Sequence, residues 1–284
     1  MIAARNFHIA ESVTSSIMMP DHDINTRGDL ASEGRLPLML LPGMMCVVRL
    51  WSDIPERVAA ACCLVIQPAL HLESSVEALA VRNLDSAPPR FSIAGLSMGG
   101  IVALEICRLA PGRVARLALL NTNARPDAPG KSELRARQIE QVHKGGLARV
   151  IRDELKPTYP SASRDHDLEL KALIMDMAMK LGSEAFVQQS LALANRNGSL
   201  GYLQEIRCPV LVVCGEDDSL CPLEYHEEIV DRIPQARLEI LPHCGHLSSL
   251  EHPALVAGLM HAWLREPAPQ DQNTHSIKEA STHG

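Results

Sequence analysis

The sequence predicts an α/β domain, with a mostly parallel sheet of about six to eight strands, helices on both faces and a helical insert. Three observations predict it. Six short apolar runs have the length and continuity of strands buried on both sides. Stretches with helical spacing of apolar residues separate them. The alternation breaks once, over residues 124–206, where helical patterns follow one another with no strand between them.

The strand candidates, in order, are LPLMLL (36–41), CCLVIQ (62–67), RFSIAGL (90–96), RLALLN (116–121), PVLVVCG (209–215) and RLEILP (237–242). Helices are expected over 55–61, 73–84, 98–110 and 224–232. Pro55 sits in the first turn of its helix, where a missing N–H costs nothing. The last helix begins at Pro253 and carries Leu255, Val256, Leu259 and Trp263 at helical spacing. Within the insert, helices are expected near 131–143, 146–155, 166–181 and 183–195, punctuated by Gly145-Gly146, Pro157, Pro160, Gly182 and Asn197-Gly198. The domain reading is therefore a core of 36–123 and 207–266, a helical cap over 124–206, a loosely ordered extension over 1–35 and a disordered tail over 267–284. That tail has one isoleucine and no other large apolar residue.

Composition narrows the function. The chain has 284 residues and a formal charge of −7, with no Lys/Arg run, which argues against a nucleic-acid partner. Its longest apolar stretch, 36–50, is broken by Pro37, Pro42, Gly43 and Arg49, too short to span a membrane. Arg5, Asn6 and His8 interrupt the place of a secretory signal, so a cytoplasmic location is expected. The eight cysteines then read as reduced thiols, and no C-x-x-C pair suggests a zinc ribbon or redox site.

The sharpest local feature is Gly95-Leu96-Ser97-Met98-Gly99, placed between a strand and a helix. A serine on so tight a turn sits in strained backbone space, and glycines two residues either side remove side chains that would collide. The helix that follows points unpaired N–H groups toward the serine and favours negative charge there.

A serine hydroxyl needs a base. Of twelve histidines, His246 lies between the last strand and the last helix, at the same sheet edge as Ser97. A surface-loop histidine is the bland alternative, and a zinc ligand with His243, Cys244 or Cys221 is another. The acid should lie beyond PVLVVCG, in Glu216-Asp217-Asp218, and Asp218 is preferred to its rival Asp217. Donors for a tetrahedral oxyanion are expected from the Met98 N–H and, in the loop after the first core strand, the Met44 N–H beside Gly43.

Taken together, LLPGMMCVVRLW (40–51), GLSMGG (95–100), VLVVCGEDDSLCP (210–222) and HCGHLSSLEHP (243–253) resemble, in this order, enzymes of the α/β-hydrolase fold of the small capped type. The resemblance covers residues 36–266 and extends to 3-oxoadipate enol-lactonase-like and carboxylesterase-like members. It implies Ser97 as nucleophile, Asp218 as acid, His246 as base, Met44 and Met98 N–H as oxyanion hole, and no cofactor or metal. The implied reaction is cleavage of a small carboxylic ester or lactone through an acyl-enzyme. The same residues serve C–C bond hydrolases and acyltransferases, and a non-catalytic receptor of this fold is a further alternative.

This chain departs from many members in having Pro42-Gly43 where they have His-Gly, in lacking a clear hairpin within 1–35, and in a short segment before the serine turn. Aromatic residues make up only 3% of the chain, which disfavours a ring-stacking pocket. Met175, Met177 and Met179 either fill the core of the cap or line a pocket for aliphatic chains. Pro129-Gly130-Lys131-Ser132 ends like a phosphate-binding loop, but Arg125 stands where its first glycine belongs.

Overall fold

The structure is a computed structural model whose described residues are 35–268. Expectations for residues 1–34 and 269–284, the missing hairpin and the tail among them, lie outside the described residues. The strands are β1 (Leu38–Leu41), β2 (Val65–Ile66), β3 (Phe91–Leu96), β4 (Val114–Leu120), β5 (Val210–Gly215) and β6 (Ala236–Leu241). Among the described residues they form one sheet in the order β2-β1-β3-β4-β5-β6, and every pair is parallel.

Period-two alternation assigns each strand residue to one face. Met39, Leu41, Ile93, Leu117, Leu119 and Val212 join one core cluster. Leu38, Leu40, Ala94, Leu96, Leu120 and Val213 join the other. The first face is covered by α2 (Val76–Ser86), α3 (Met98–Leu109) and α7 (Leu223–Val230), and the second by α1 (Ile54–Val58) and α9 (Pro253–Leu264). The short α8 (Ser248–Glu251) precedes α9. On α9 the buried set is Val256, Ala257, Met260, Trp263 and Leu264, at spacings of one, four, seven and eight. Leu255, expected on that stripe, points to solvent with 52% of its surface exposed. Truncating Trp263, which is wholly buried, removes core contacts worth about 3–5 kcal/mol.

The run 62–67 yields only the two strand residues of β2. It lies at the sheet edge and pairs with β1 alone, and Cys62 turns instead toward α1, its thiol on the Val58 carbonyl. Between β4 and β5 the described residues hold helices and turns: α4 (Lys131–His143), α5 (Leu147–Val150) running into a wider turn over Ile151–Leu155, and α6 (Leu168–Ala194). α6 is interrupted at Gly182, whose backbone (φ 80°, ψ −177°) is non-helical and divides the segment where glycine punctuation suggested two helices. No helix among the described residues is long and apolar enough to cross a membrane.

Because all strands are parallel, their carboxyl ends share one edge. The turns after β1, β3, β4, β5 and β6 meet there, and the helical insert leaves the sheet at that edge after β4 and rejoins it at the opposite edge before β5.

Candidate active site

Ser97 is the single residue between β3 and α3, with φ 55° and ψ −118°. A non-glycine residue in this region carries strain of about 1–3 kcal/mol, so its surroundings must hold it. The Ser97 N–H donates to Leu120 O at 2.9 Å, and its carbonyl accepts from Gly100 N at 2.9 Å and Thr122 Oγ1 at 2.7 Å. The flanking glycines are required by space. A Cβ on Gly95 would lie 2.2 Å from Gly99 O, and one on Gly99 would lie 2.1 Å from Leu41 O, both backbone atoms.

His246 Nε2 lies 2.8 Å from Ser97 Oγ, and His246 Nδ1 lies 2.9 and 3.0 Å from the two oxygens of Asp218. All three side chains thus form one hydrogen-bonded line across turns from three strands. Asp218 and His246 are buried, whereas Asp217 is exposed and directs only its backbone N–H inward, to Cys244 O. Asp218 Oδ1 also accepts from the N–H groups of Leu220 and Cys221, both at 3.0 Å, and Oδ2 accepts from Asn121 Nδ2 at 3.0 Å. Burial opposes ionisation of this carboxyl. The His246 ring, the Cys221 N–H and the Asn121 amide outweigh burial and hold it below the usual carboxylate range.

The His246 loop is clamped from the insert. His246 N–H donates to Tyr159 O at 2.7 Å, and the Tyr159 ring stacks on the imidazole with centroids 5.7 Å apart. Glu251 accepts from Gly245 N at 3.1 Å and from Ser161 N at 2.9 Å, so one carboxylate ties the histidine loop to the insert. A Cβ on Gly245 would meet Ser161 N at 2.4 Å.

Below the serine turn, His226 is fully buried. Its Nε2 accepts from Thr122 N at 3.2 Å, so Nδ1 carries the proton and donates to Pro222 O at 3.2 Å. Burial pushes its pKa down.

The turn after β1 approaches the serine: a Cβ on Gly43 would lie 3.4 Å from Ser97 Cβ. Met45, at φ 56°, donates its N–H to Gln189 Oε1 at 2.8 Å, and Gln189 Nε2 donates to Leu70 O at 2.8 Å. Gln189, on α6, thereby pins this turn. Among the described residues neither the Met44 nor the Met98 N–H donates a hydrogen bond. For Met98, the first residue of α3, helix geometry leaves that group without an intrahelical partner.

Ser97, His246, Met44 and Met98 open onto a cavity of about 700 Å3 between the sheet edge and the insert. Met175, Met177 and Met179 are not part of its wall. Met177 is wholly buried in one core cluster and Met175 packs against the other, so these two are packing residues, while Met179 is exposed. The one group of metal-type ligands among the described residues is Asp218, Cys221 and His246, and there the imidazole is bonded on one side to the acid and on the other to Ser97. Burial lifts the Cys221 thiol to about 12. His243 is exposed and lies outside that group.

Asn121, Gln189, His226 and Glu251 escaped the reading of the sequence. Gln189, His226 and Glu251 act through backbone groups brought near by folding, and Asn121 through the Asp218 carboxylate and the Gly245 carbonyl. Only Asn121 left a trace, as the one polar residue ending the run RLALLN at the active edge.

A parallel sheet with a strained serine between strand and helix, and a histidine and an acid on later strand ends, defines a hydrolase-type α/β architecture. The chain matches the model of the alpha/beta hydrolase family over residues 40–259 and belongs to that family. It is 31% identical over 203 residues to a pimeloyl-acyl-carrier-protein methyl ester esterase from Aromatoleum aromaticum, covering 63% of this chain and 76% of the relative. It is 28% identical to the dihydrolipoyllysine-residue acetyltransferase component of the acetoin cleaving system of Pseudomonas putida, covering 84% of this chain and 66% of that relative's length. Among solved structures, a thermophilic esterase from Thermogutta terrifontis superposes with a TM-score of 0.73 at 28% identity, over 81% of this chain and 89% of the other. The enol-lactonase from Burkholderia xenovorans shares the fold, with a TM-score of 0.70 at 22% identity over 83% and 94% of the two chains.

Proposed function

We propose that this protein is a cofactor-free serine hydrolase that cleaves a small carboxylic ester or lactone through an acyl-enzyme on Ser97. The observation that carries the proposal is the line from Ser97 Oγ to His246 Nε2 at 2.8 Å and from His246 Nδ1 to Asp218 at 2.9 Å. As His246 takes the hydroxyl proton, Ser97 Oγ attacks the carbonyl carbon. Asp218 holds the Nδ1–H tautomer and stabilises the imidazolium. The unpartnered N–H groups of Met44 and Met98 receive the oxyanion, and a donor of this kind typically contributes about 2.7–4 kcal/mol. The imidazolium then protonates the departing alkoxide, and a water activated by the same ring releases the acid. The esterase relatives support this chemistry. The eight unpaired cysteines support a reducing, cytoplasmic setting.

A fluorophosphonate probe tests the nucleophile. The wild-type protein should label at Ser97 and hydrolyse p-nitrophenyl esters or lactones, and Ser97→Ala should do neither. A folded wild-type protein that does not label would return the site to a non-catalytic receptor. An acyltransferase reading is favoured by the Pseudomonas putida relative. Added alcohol or thiol acceptors distinguish it, by diverting the acyl group from water.

A further inference from the structure

The cavity wall holds more positive charge than its own packing requires. Arg135, on α4, directs Nε and Nη2 to the two oxygens of Asp127, at 2.6 and 3.4 Å. Its remaining nitrogen, Nη1, faces the Met44 sulfur at 4.0 Å. A thioether is a weak acceptor, so two N–H donors are left poorly matched beside the residue that flanks the serine. Arg196 pairs with the same Asp127 carboxylate. All three side chains are largely buried, at 16%, 7% and 9% exposure for Arg135, Arg196 and Asp127. Burial disfavours the charge on Asp127, and the two guanidinium groups outweigh it and hold its pKa below the usual range.

One arginine would suffice to pin the insert through Asp127. Two share one carboxylate, and a surplus positive charge remains where solvent screens it weakly. The other charged groups on the wall are Lys131, Arg125 and Glu154. Arg125 is neutralised by Glu228 at 2.6 Å, and Glu154 accepts a hydrogen bond from Gln138 at 2.9 Å. Lys131 and Glu154 are one charge of each sign and neither makes an ion pair among the described residues, so by formal charge the surplus equals that of the Arg135–Asp127–Arg196 cluster. The cavity wall also carries the apolar side chains Met98, Ile101, Leu134, Leu155 and Leu193. One cavity that holds a serine, apolar side chains and a guanidinium edge with spare donors complements a short acyl chain with a terminal anion.

We propose that Arg135 forms a carboxylate subsite, and that the preferred substrates are monoesters of short aliphatic dicarboxylic acids. This deepens the serine-hydrolase reading and rests on it for turnover, though not for binding. Ser97 displaces the alcohol, water cleaves the acyl-enzyme, and the dicarboxylate leaves, its distal carboxylate unchanged throughout.

The test separates binding from turnover. Ser97→Ala protein is titrated calorimetrically with monomethyl and dimethyl esters of succinate, glutarate and adipate. The best monoester should bind about 10- to 100-fold more tightly than its diester, the range of a charge-assisted hydrogen bond. In Ser97→Ala/Arg135→Gln that ratio should fall to near unity, and Arg135→Lys should restore part of it by supplying charge without the planar fork. The Gln variant keeps Asp127 paired with Arg196, so no buried carboxylate is orphaned. Equal affinity for monoester and diester, tighter binding of the diesters, no measurable binding of any monoester, or an unchanged ratio in Arg135→Gln would each overturn the proposal. If the monoester preference holds but the active protein neither labels nor turns over, the hydrolase reading fails while the subsite stands. If esters turn over without that preference, the subsite fails alone.

Discussion

Replacing Asp218 by asparagine should inactivate the protein by turning over a single imidazole tautomer. Two backbone donors, Leu220 N and Cys221 N, both point at Oδ1 from 3.0 Å, whereas Oδ2 faces the Asn121 amide at 3.0 Å. An asparagine keeps the most hydrogen bonds by placing its oxygen at the Oδ1 position. Its NH2 then occupies the Oδ2 position, 2.9 Å from His246 Nδ1. A donor there makes Nδ1 the acceptor and moves the ring proton to Nε2, which must then donate toward Ser97 Oγ and can no longer take its proton. A wrong tautomer of this kind costs about 10^4 in kcat, or about 5.4 kcal/mol of transition-state stabilisation. The fold should survive with the loss of one buried hydrogen bond to Asn121, about 1–3 kcal/mol. Asp217→Asn is the control, because that side chain is exposed and makes no hydrogen bond among the described residues. The assay is steady-state hydrolysis of a p-nitrophenyl ester beside the rate of fluorophosphonate labelling. Retention of more than about a tenth of wild-type kcat in Asp218→Asn, against the loss expected of a wrong tautomer, would refute the reasoning. A comparable loss in Asp217→Asn would refute it too.

Three further outcomes are expected. Gly99→Ala should destabilise the protein by at least about 3 kcal/mol in urea unfolding, since its Cβ would lie 2.1 Å from a backbone carbonyl, whereas Gly112→Ala, with nothing within 4 Å, should stay within about 0.5 kcal/mol. The depressed pKa of His226 means that the unfolded chain binds a proton near pH 6.5 that the native ring refuses. Stability should therefore rise with pH from the native pKa up to about 6.5, by at most about 1.4 kcal/mol per unit, and His226→Gln should flatten that slope in urea unfolding between about pH 5 and 8. Burial lifts the thiols of Cys46 and Cys221 to about 12 and that of Cys208 to about 11, and Cys63 alone among the eight is not buried. An aromatic disulfide reagent should thus modify one thiol quickly in the native protein and all eight after denaturation; several fast native equivalents would contradict this packing.

Much of this molecule is legible before folding, because strand burial and turn sterics are local. A run such as PVLVVCG must be covered on both faces whatever lies around it, and Gly-x-Ser-x-Gly between strand and helix admits few backbone conformations. Parallel order alone then carries the ends of β3, β5 and β6 to one edge, so Ser97, Asp218 and His246 could be named from their places after strands. Sequence preferred Asp218 but left Asp217 as its rival, since a one-residue offset on a turn changes direction rather than composition. Only packing turned Asp218 inward onto the imidazole and left Asp217 in solvent. Hydrogen bonds made across long separations were likewise invisible. Gln189 reaches Met45 over 144 positions, and Asn121 reaches Asp218 over 97. Whether Arg135 and Arg196 share one carboxylate is a matter of the same kind: the sequence supplies the charges, and only the tertiary structure decides which of them meet, because the energy of a charge depends on its neighbours and its burial rather than on its place in the chain.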